Sequence, residues 1–295
     1  MSEHLSKRAW AFASRTKRVA MWYWKHRSIP KSKMLSFRCN ICGHSNSLPS
    51  EEMGREAGGC LYCGSTVRWR SIIHTLSMEI FGESFALEEF PIRKDIQGVG
   101  LSDWLGYAER LERKFTYKNT FYHCEPMLDI SNPDPSEFER YDFLISSDVF
   151  EHVPPPITPA FEGALKLLKP GGVMIFSVPY LQGLTKEHFP QLNKFSIQVK
   201  DNTYVLLNEC PDGRKEEFSD IVFHGGPGST IEMRLFGKSS LIANFRESGF
   251  GAPHEYSNEV PEFGILWVRY DPEKAPYRPF IYGLDTPPWT VRRPR

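Results

Sequence analysis

The sequence has no run approaching the ~18 consecutive apolar residues that a membrane-spanning helix needs, although 40% of its 295 residues are hydrophobic. A helical membrane protein is therefore excluded, and a soluble globular chain is expected. Cysteine is scarce, with only six. Nothing in their placement suggests an oxidising compartment or a disulfide-stapled fold, and a cytoplasmic setting is expected. There is no excess of charge of either sign, since 36 Lys and Arg balance 36 Asp and Glu. That balance hides an asymmetry, because residues 1–34 hold nine Lys and Arg against one acid, Glu3, so the remainder is net acidic.

The basic segment is interrupted by charge every few residues from Lys7 to Lys33, unlike the apolar core of a secretory leader. Leu5, Ala9, Phe12, Ala13, Ala20 and Trp24 are spaced as one stripe of a helix, with Trp22 and Tyr23 beside them. Such an arm suits peripheral contact with the inner face of an anionic membrane, contact with nucleic acid, packing on the acidic body, or a loose tail.

What the chain does have in quantity is order among its few cysteines. "FRCNICGHS" and "GGCLYCGST" each contain CxxCG, with 17 residues between the pair Cys39, Cys42 and the pair Cys60, Cys63. Two such knuckles bring four thiolates to one tetrahedral ion, and Gly43 and Gly64 permit the tight turn after each pair. The expected ion is structural Zn2+, because four protein ligands leave no open position. The alternative is four unrelated thiols or two disulfides. Cys124 and Cys210 are expected to be free.

Trp69, Ile72, Ile73, Leu76, Ile80 and Phe81 recur at helical spacing and Gly82 comes next as a stop, giving a helix between the knuckles and the next domain. From about residue 84, strand-like and helix-like pieces alternate, which predicts an α/β fold: a doubly wound, mostly parallel sheet with helices on both faces. One strand ends in "DIQGVGLSDW", and Ser102 or Asp103 is expected to cap a helix bearing Trp104, Ala108, Leu111 and Phe115. "NTFYHCEP", "YDFLISSD" and "VMIFSVP" read as further strands. Ile157, Ala160, Phe161, Ala164, Leu165 and Leu168 form one helix face, stopped by Pro170 and Gly171. The expected divisions are a basic arm at 1–34, a zinc module and helix at 35–82, a main domain at 83–270 with an insert at about 180–236, and a proline-rich tail at 271–295 extended over the surface.

Ligands of such sheets bind at the carboxyl ends of the strands. "SSDVFEHVPPP" occupies such an end, so Asp148 and Glu151 are placed either to face a ligand or to cap the next helix. The segments "YDFLISSDVFEHV", "ALKLLKPGGVMIFSVP" and "LFGKSSLIANFRESGF", in that order and spacing, resemble three successive signatures of S-adenosylmethionine-dependent methyltransferases of the Rossmann-like, class I, type 11-like family, over about residues 90–270.

The resemblance implies S-adenosyl-L-methionine as cofactor and assigns it residues. Gly98 and Gly100, with Ser102 beyond them, would admit its amino-acid part; Glu125 would take the ribose hydroxyls and Asp129 the adenine amine. Asp148 and Val149 would border the methyl group. Two departures stand out: Leu101 and Ser102 replace a commonly found third glycine, and only three residues separate Glu125 from Asp129, too few for a parallel crossover. A hydroxyl acceptor gains from a base, and His224, His188 and His152 are the candidates, with Tyr180 beside them. The preferred acceptor is a small molecule or glycan. An RNA methyltransferase using knuckles and arm, and a non-catalytic binding protein of the same fold, are the alternatives.

Overall fold

A computed structural model describes Trp22, Trp24 and residues 27–224, 230–267 and 286–295. Apart from Trp22 and Trp24, the helical stripe expected in the arm lies outside the described residues, as does most of the proline-rich tail.

In chain order the elements are β1 (Met34–Arg38), β2 (Ser45–Pro49), α1 (Val67–Phe81), β3 (Arg93–Leu101), α2 (Leu105–Lys114), β4 (Phe115–Thr120) and β5 (Tyr141–Ser147). A short 3-10 helix, Phe150–His152, precedes α3 (Thr158–Leu167), β6 (Leu168–Ser177), β7 (Tyr180–Leu181) and β8 (Lys186–Glu187). Then come β9 (Lys194–Lys200), β10 (Thr203–Glu209), β11 (Lys215–Phe218), β12 (Phe223–His224), β13 (Thr230–Ile231), β14 (Arg234–Gly237), α4 (Lys238–Glu247), β15 (His254–Glu255) and β16 (Trp289–Arg292).

The chain divides into two compact units. One takes its described residues from Met1–Lys94, Trp104–Phe115 and Tyr256–Pro288, and the other comprises Asp95–Asp103, Thr116–Glu255 and Trp289–Arg295. In the first, β1 and β2 form an antiparallel hairpin. Helix α1 starts two residues before the first position of its apolar stripe and ends where Gly82 takes φ 75°, a left-handed cap that glycine adopts without a side-chain penalty. The rings of Trp69 and Trp104 stack at 4.2 Å, and Phe81, Phe90 and Phe115 form an aromatic group.

The second unit is built on the six-stranded sheet, in the order β15-β16-β6-β5-β3-β4. β3, β5 and β6 run parallel, with Leu101 opposite Ser146 and Ser147 opposite Ser177, so their carboxyl ends come level. Val99, Leu144, Met174 and Phe176 from these strands bury against Phe161, Ala164 and Phe245 of α3 and α4. This is the α/β, mostly parallel architecture that the alternating pattern predicts.

Four local expectations change. Helix α2 begins after Trp104 with no side-chain cap, because the Asp103 carboxylate is taken by the Tyr117 hydroxyl. β4 stops at Thr120 rather than running through "HCEP", since the chain folds back on itself: Phe121 N–H donates to the Pro126 carbonyl and Leu128 N–H to that of Phe121. Pro170 and Gly171 lie within β6 rather than in a loop after α3; the helix has already ended at Leu167. The end of the chain is not surface tail. Trp289–Arg292 is a strand, antiparallel to β6 and β15, with Trp289 and Val291 buried.

Candidate functional site

The level carboxyl ends of β3 and β5 each lead into a non-glycine residue in the left-handed region, Ser102 and Asp148, both at φ 55°. Such conformations cost on the order of 1 kcal/mol or more and persist only where neighbours hold them. Here they are held. Ser102 N–H donates to the Thr120 carbonyl at 2.7 Å, and Asp148 N–H donates to that of Ser177 at 2.8 Å. Asn119 clasps the Asp103 backbone with two 2.9 Å bonds, and the Thr120 hydroxyl donates to the Gly100 carbonyl. The Ser177 hydroxyl reaches both Ser147 Oγ at 3.1 Å and Asp148 Oδ1 at 3.4 Å.

Gly98 and Gly100 lie inside β3, one residue apart. A Cβ on Gly98 would lie 2.1 Å from the Phe143 ring, and one on Gly100 would lie 1.9 Å from Tyr117 Oη and 2.2 Å from Asp103 Oδ2. The two glycines thus have an internal packing reason to lack side chains.

Glu125 and Asp129 share the fold-back loop after β4, which resolves their close spacing: they do not close neighbouring strands. Glu125 is exposed and its carboxylate accepts from Met127 N–H at 3.0 Å; Asp129 Oδ1 accepts from Ser131 N–H at 2.9 Å. Val149 leads from Asp148 into the 3-10 helix. The donor set fits S-adenosylmethionine chemically, since exposed or half-buried carboxylates suit a diol and an amine at the edge where this fold takes ligands.

The 3-10 helix Phe150–His152 carries Glu151 and His152 directly beyond that edge. Arg234, fully buried at the start of β14, fixes it by donating Nη1 hydrogen bonds to the Phe150 and Val153 carbonyls at 2.8 and 2.6 Å, while its Nε pairs with Glu187 at 2.8 Å. Met233 N–H donates to the Glu151 carbonyl at 2.7 Å. All three histidines singled out by sequence converge here. Glu232 joins two of them, accepting from His188 Nε2 at 2.9 Å and from His224 Nε2 at 2.8 Å. His152 Nδ1 donates to the Ile231 carbonyl at 2.7 Å, and its ring meets that of His224 edge-on at 4.6 Å.

Burial pushes the Glu232 carboxyl up, but the bonds from His188 and His224 outweigh it and hold the pKa at about 2. Glu232 is therefore an anion at neutral pH that orients both rings. Burial pushes the His152 pKa down, which favours its neutral form. Tyr180 is buried and its hydroxyl donates to Glu255 Oε1, away from these histidines' partners.

The four knuckle cysteines form a separate centre in the first unit. Their sulfurs lie within 4.8 Å of one another, with Cys39–Cys63 at 3.7 Å and Cys42–Cys60 at 3.6 Å. Four sulfurs around zinc at about 2.3 Å stand about 3.8 Å apart, so the donor set fits a tetrahedral ion. Gly43 (φ 72°) and Gly64 (φ 82°) donate to the Cys39 and Cys60 carbonyls at 2.8 Å, as the knuckle turn requires. Cys124 and Cys210 carry no disulfide.

Sequence reasoning missed Glu232 and Arg234. The signal was present: "VFH" and "TIE" flank a glycine-rich stretch, and Phe223 and His224 pair antiparallel with Ile231 and Thr230, which sets Glu232 beside the histidines.

Residues 88–217 match the family described as methyltransferase domain. The chain thus contains an S-adenosylmethionine-dependent methyltransferase domain (EC 2.1.1.-), and it has a four-cysteine cluster consistent with structural zinc. No curated protein matches it. Among solved structures it is similar to the 1,6-didemethyltoxoflavin-N1-methyltransferase of Burkholderia thailandensis, at 13% identity and TM-score 0.40, covering 76% of this chain and 79% of that one. It is also similar to an S-adenosylmethionine-dependent methyltransferase of Mesorhizobium loti, at 15% identity and TM-score 0.33, covering 70% and 96%. The amino pentose methyltransferase CalS10 of Micromonospora echinaspora has 11% identity and TM-score 0.38, covering 78% and 92%. Likeness at this level defines no acceptor. Among the described residues, no helix is long and apolar enough to cross a membrane.

Proposed function

We propose that the enzyme methylates a hydroxyl of a small molecule or glycan, and that the acceptor binds beside His152, His188 and His224. One observation carries this reading: three histidines and two glutamates gather immediately past Asp148, at the carboxyl edge of the sheet, where open α/β sheets in general take ligands. Gly98, Gly100, Ser102, Glu125, Asp129, Asp148 and Val149 would hold the cofactor, which when bound supplies the methyl carbon. What remains for the chain is to align the acceptor oxygen and to take its proton.

Glu232 serves the second task. By accepting Nε2–H from His188 and from His224, it fixes their tautomers and leaves Nδ1 of each as the nitrogen able to accept a proton. An imidazole held this way by a carboxylate is fixed in ring plane and tautomer, so its free nitrogen is aimed. His224 has the more exposed side chain of the two, 35% against 20%, and is the first candidate to meet an acceptor from solvent.

The test begins with calorimetric titration of the purified chain with S-adenosylmethionine and S-adenosylhomocysteine, which should bind in the micromolar range typical of small ligands. Glu125→Ala should weaken that binding by about tenfold or more without altering the fold. Transfer of labelled methyl from the cofactor is then traced over sugars, hydroxylated metabolites and RNA. Label in a sugar or metabolite hydroxyl supports the reading; label confined to RNA, binding falling steeply with salt, replaces it with a nucleic-acid acceptor. No cofactor binding by folded, zinc-loaded protein would mark a non-catalytic binding protein.

A further inference from the structure

Two nitrogens of the histidine cluster approach one carboxylate oxygen. His152 gives its Nδ1–H to the Ile231 carbonyl at 2.7 Å, so its unprotonated nitrogen is Nε2. His224 gives its Nε2–H to the Glu232 carboxylate at 2.8 Å, so its unprotonated nitrogen is Nδ1. Both nitrogens stand 3.9 Å from the same atom, Glu151 Oε1, and the three residues can each offer a ligand atom within 4.8 Å of the others. The rings are nearly perpendicular, at 88°.

Separations of 3.9 Å exceed a hydrogen bond. They are about half an ångström wider than the ~3.4 Å between neighbouring ligands of a tetrahedral ion held at about 2.1 Å, so a small inward movement closes the triangle on a cation. Each imidazole already has what a metal-bound histidine needs on its far side, a carbonyl for His152 and a carboxylate for His224, fixing tautomer and ring plane. The Glu151 side chain is only 1% exposed, so solvent screens its attraction for a cation little. Arg234 and Met233 hold its backbone segment in place.

We propose that Glu151, His152 and His224 bind a divalent first-row transition ion, distinct from the four-cysteine zinc, in a two-histidine, one-carboxylate site. Three protein ligands leave positions open, and the 35% exposure of His224 opens them on the solvent side. The class of ligand that fits there is an oxygen donor, such as a hydroxyl or vicinal diol of the acceptor, whose O–H becomes more acidic on the ion; with His224 Nδ1 then engaged as a ligand, the base that takes the proton is His188 through Nδ1. Ion binding itself does not depend on the acceptor; only this last role rests on the proposed methylation of a hydroxyl.

The decisive measurement is metal content of the full chain after equilibration with Zn2+ and removal of loosely held ion, by mass spectrometry. The wild type should carry about two ions per chain, and Glu151→Gln and His224→Asn about one, while Cys39→Ser loses the other one. Adding Co2+ to protein that keeps zinc on its cysteines but has had the second site emptied by a mild chelator should give weak visible d–d bands without thiolate charge transfer, absent in His224→Asn. Should Glu151→Gln fail to fold, His224→Asn decides, because that side chain is partly exposed and circular dichroism can verify its fold. About one ion per wild-type chain, or a second ion retained in His224→Asn, overturns the proposal. Since no methyl donor or acceptor is present, failure here is separate from failure of the methyl-transfer reading, which the labelling assay alone decides.

Discussion

Arg234 shows how far single side chains decide this site. Its guanidinium is fully buried, yet it donates to two carbonyls of the segment that bears Glu151 and His152 and pairs with Glu187. Arg234→Ala should cost about 3–5 kcal/mol, because it leaves Glu187 and two carbonyls without their cation. The urea midpoint should fall accordingly, and a loss under about 1 kcal/mol would show that the arginine is not the anchor. Glu232 makes a different prediction. Its folded pKa of about 2 lies below the ordinary value near 4.3, so the stability it contributes is complete above the latter and drains away as pH falls through the former. Melting temperature measured from pH 6 to pH 3 should therefore drop less steeply in Glu232→Gln than in the wild type; parallel curves would remove Glu232 from the network. At this scale the sequence offered residue types but not partners. His152, His188 and His224 could be singled out because histidine near a strand end is chemically suggestive, whereas Glu232 and Arg234 are ordinary charges until a strand pair and a buried turn bring them in.

Elements were more legible than side chains, and the reason is periodicity. Apolar spacing located α1, α2 and α3 to within a residue or two, and the buried cores of β5 and β6 were plain from their runs of Phe, Leu, Ile and Val. What failed were boundaries set by hydrogen bonds that spacing does not encode. The fold-back after Thr120 rests on backbone bonds between Phe121, Pro126 and Leu128, and the last strand, Trp289–Arg292, comes after a proline-rich stretch whose composition suggests surface. Two glycines make a matched test of element ends against element packing. At Gly82 an added Cβ meets nothing within 4 Å, so Gly82→Ala bears only the left-handed backbone cost, about 1 kcal/mol. At Gly163, inside α3, it would lie 1.9 Å from the Ile130 carbonyl oxygen and 3.2 Å from Pro133 Cδ. Gly163→Ala should thus cost more, about 1–3 kcal/mol or beyond, as the helix is pushed off its neighbours. Equal losses of stability for the two variants would contradict this ordering.

On the scale of the molecule, the two units keep their chemistry apart: sulfur ligands in one, and the parallel sheet with its acids and histidines in the other. Cys39, Ile41, Cys42, Leu48, Cys60 and Leu61 are buried, but around a centre that is polar without its ion. Structural zinc in such sites contributes about 10–16 kcal/mol, as much as the ~5–15 kcal/mol net stability of an ordinary domain, so the fold around the cysteines should not outlast the metal. The core of the second unit, from Val99 and Leu144 to Phe176 and Phe245, draws on none of those ligands. Hydrogen exchange on the full chain, before and after chelation, separates the two sources of stability. The knuckle amides of Gly43 and Gly64, which donate to Cys39 and Cys60, should lose protection by orders of magnitude, while amides of β5 and β6 keep theirs. Unchanged knuckle protection in protein shown to be metal-free would mean that the cysteines pack as ordinary core residues. Equal loss in β5 and β6 would mean that the sheet, too, depends on the ion.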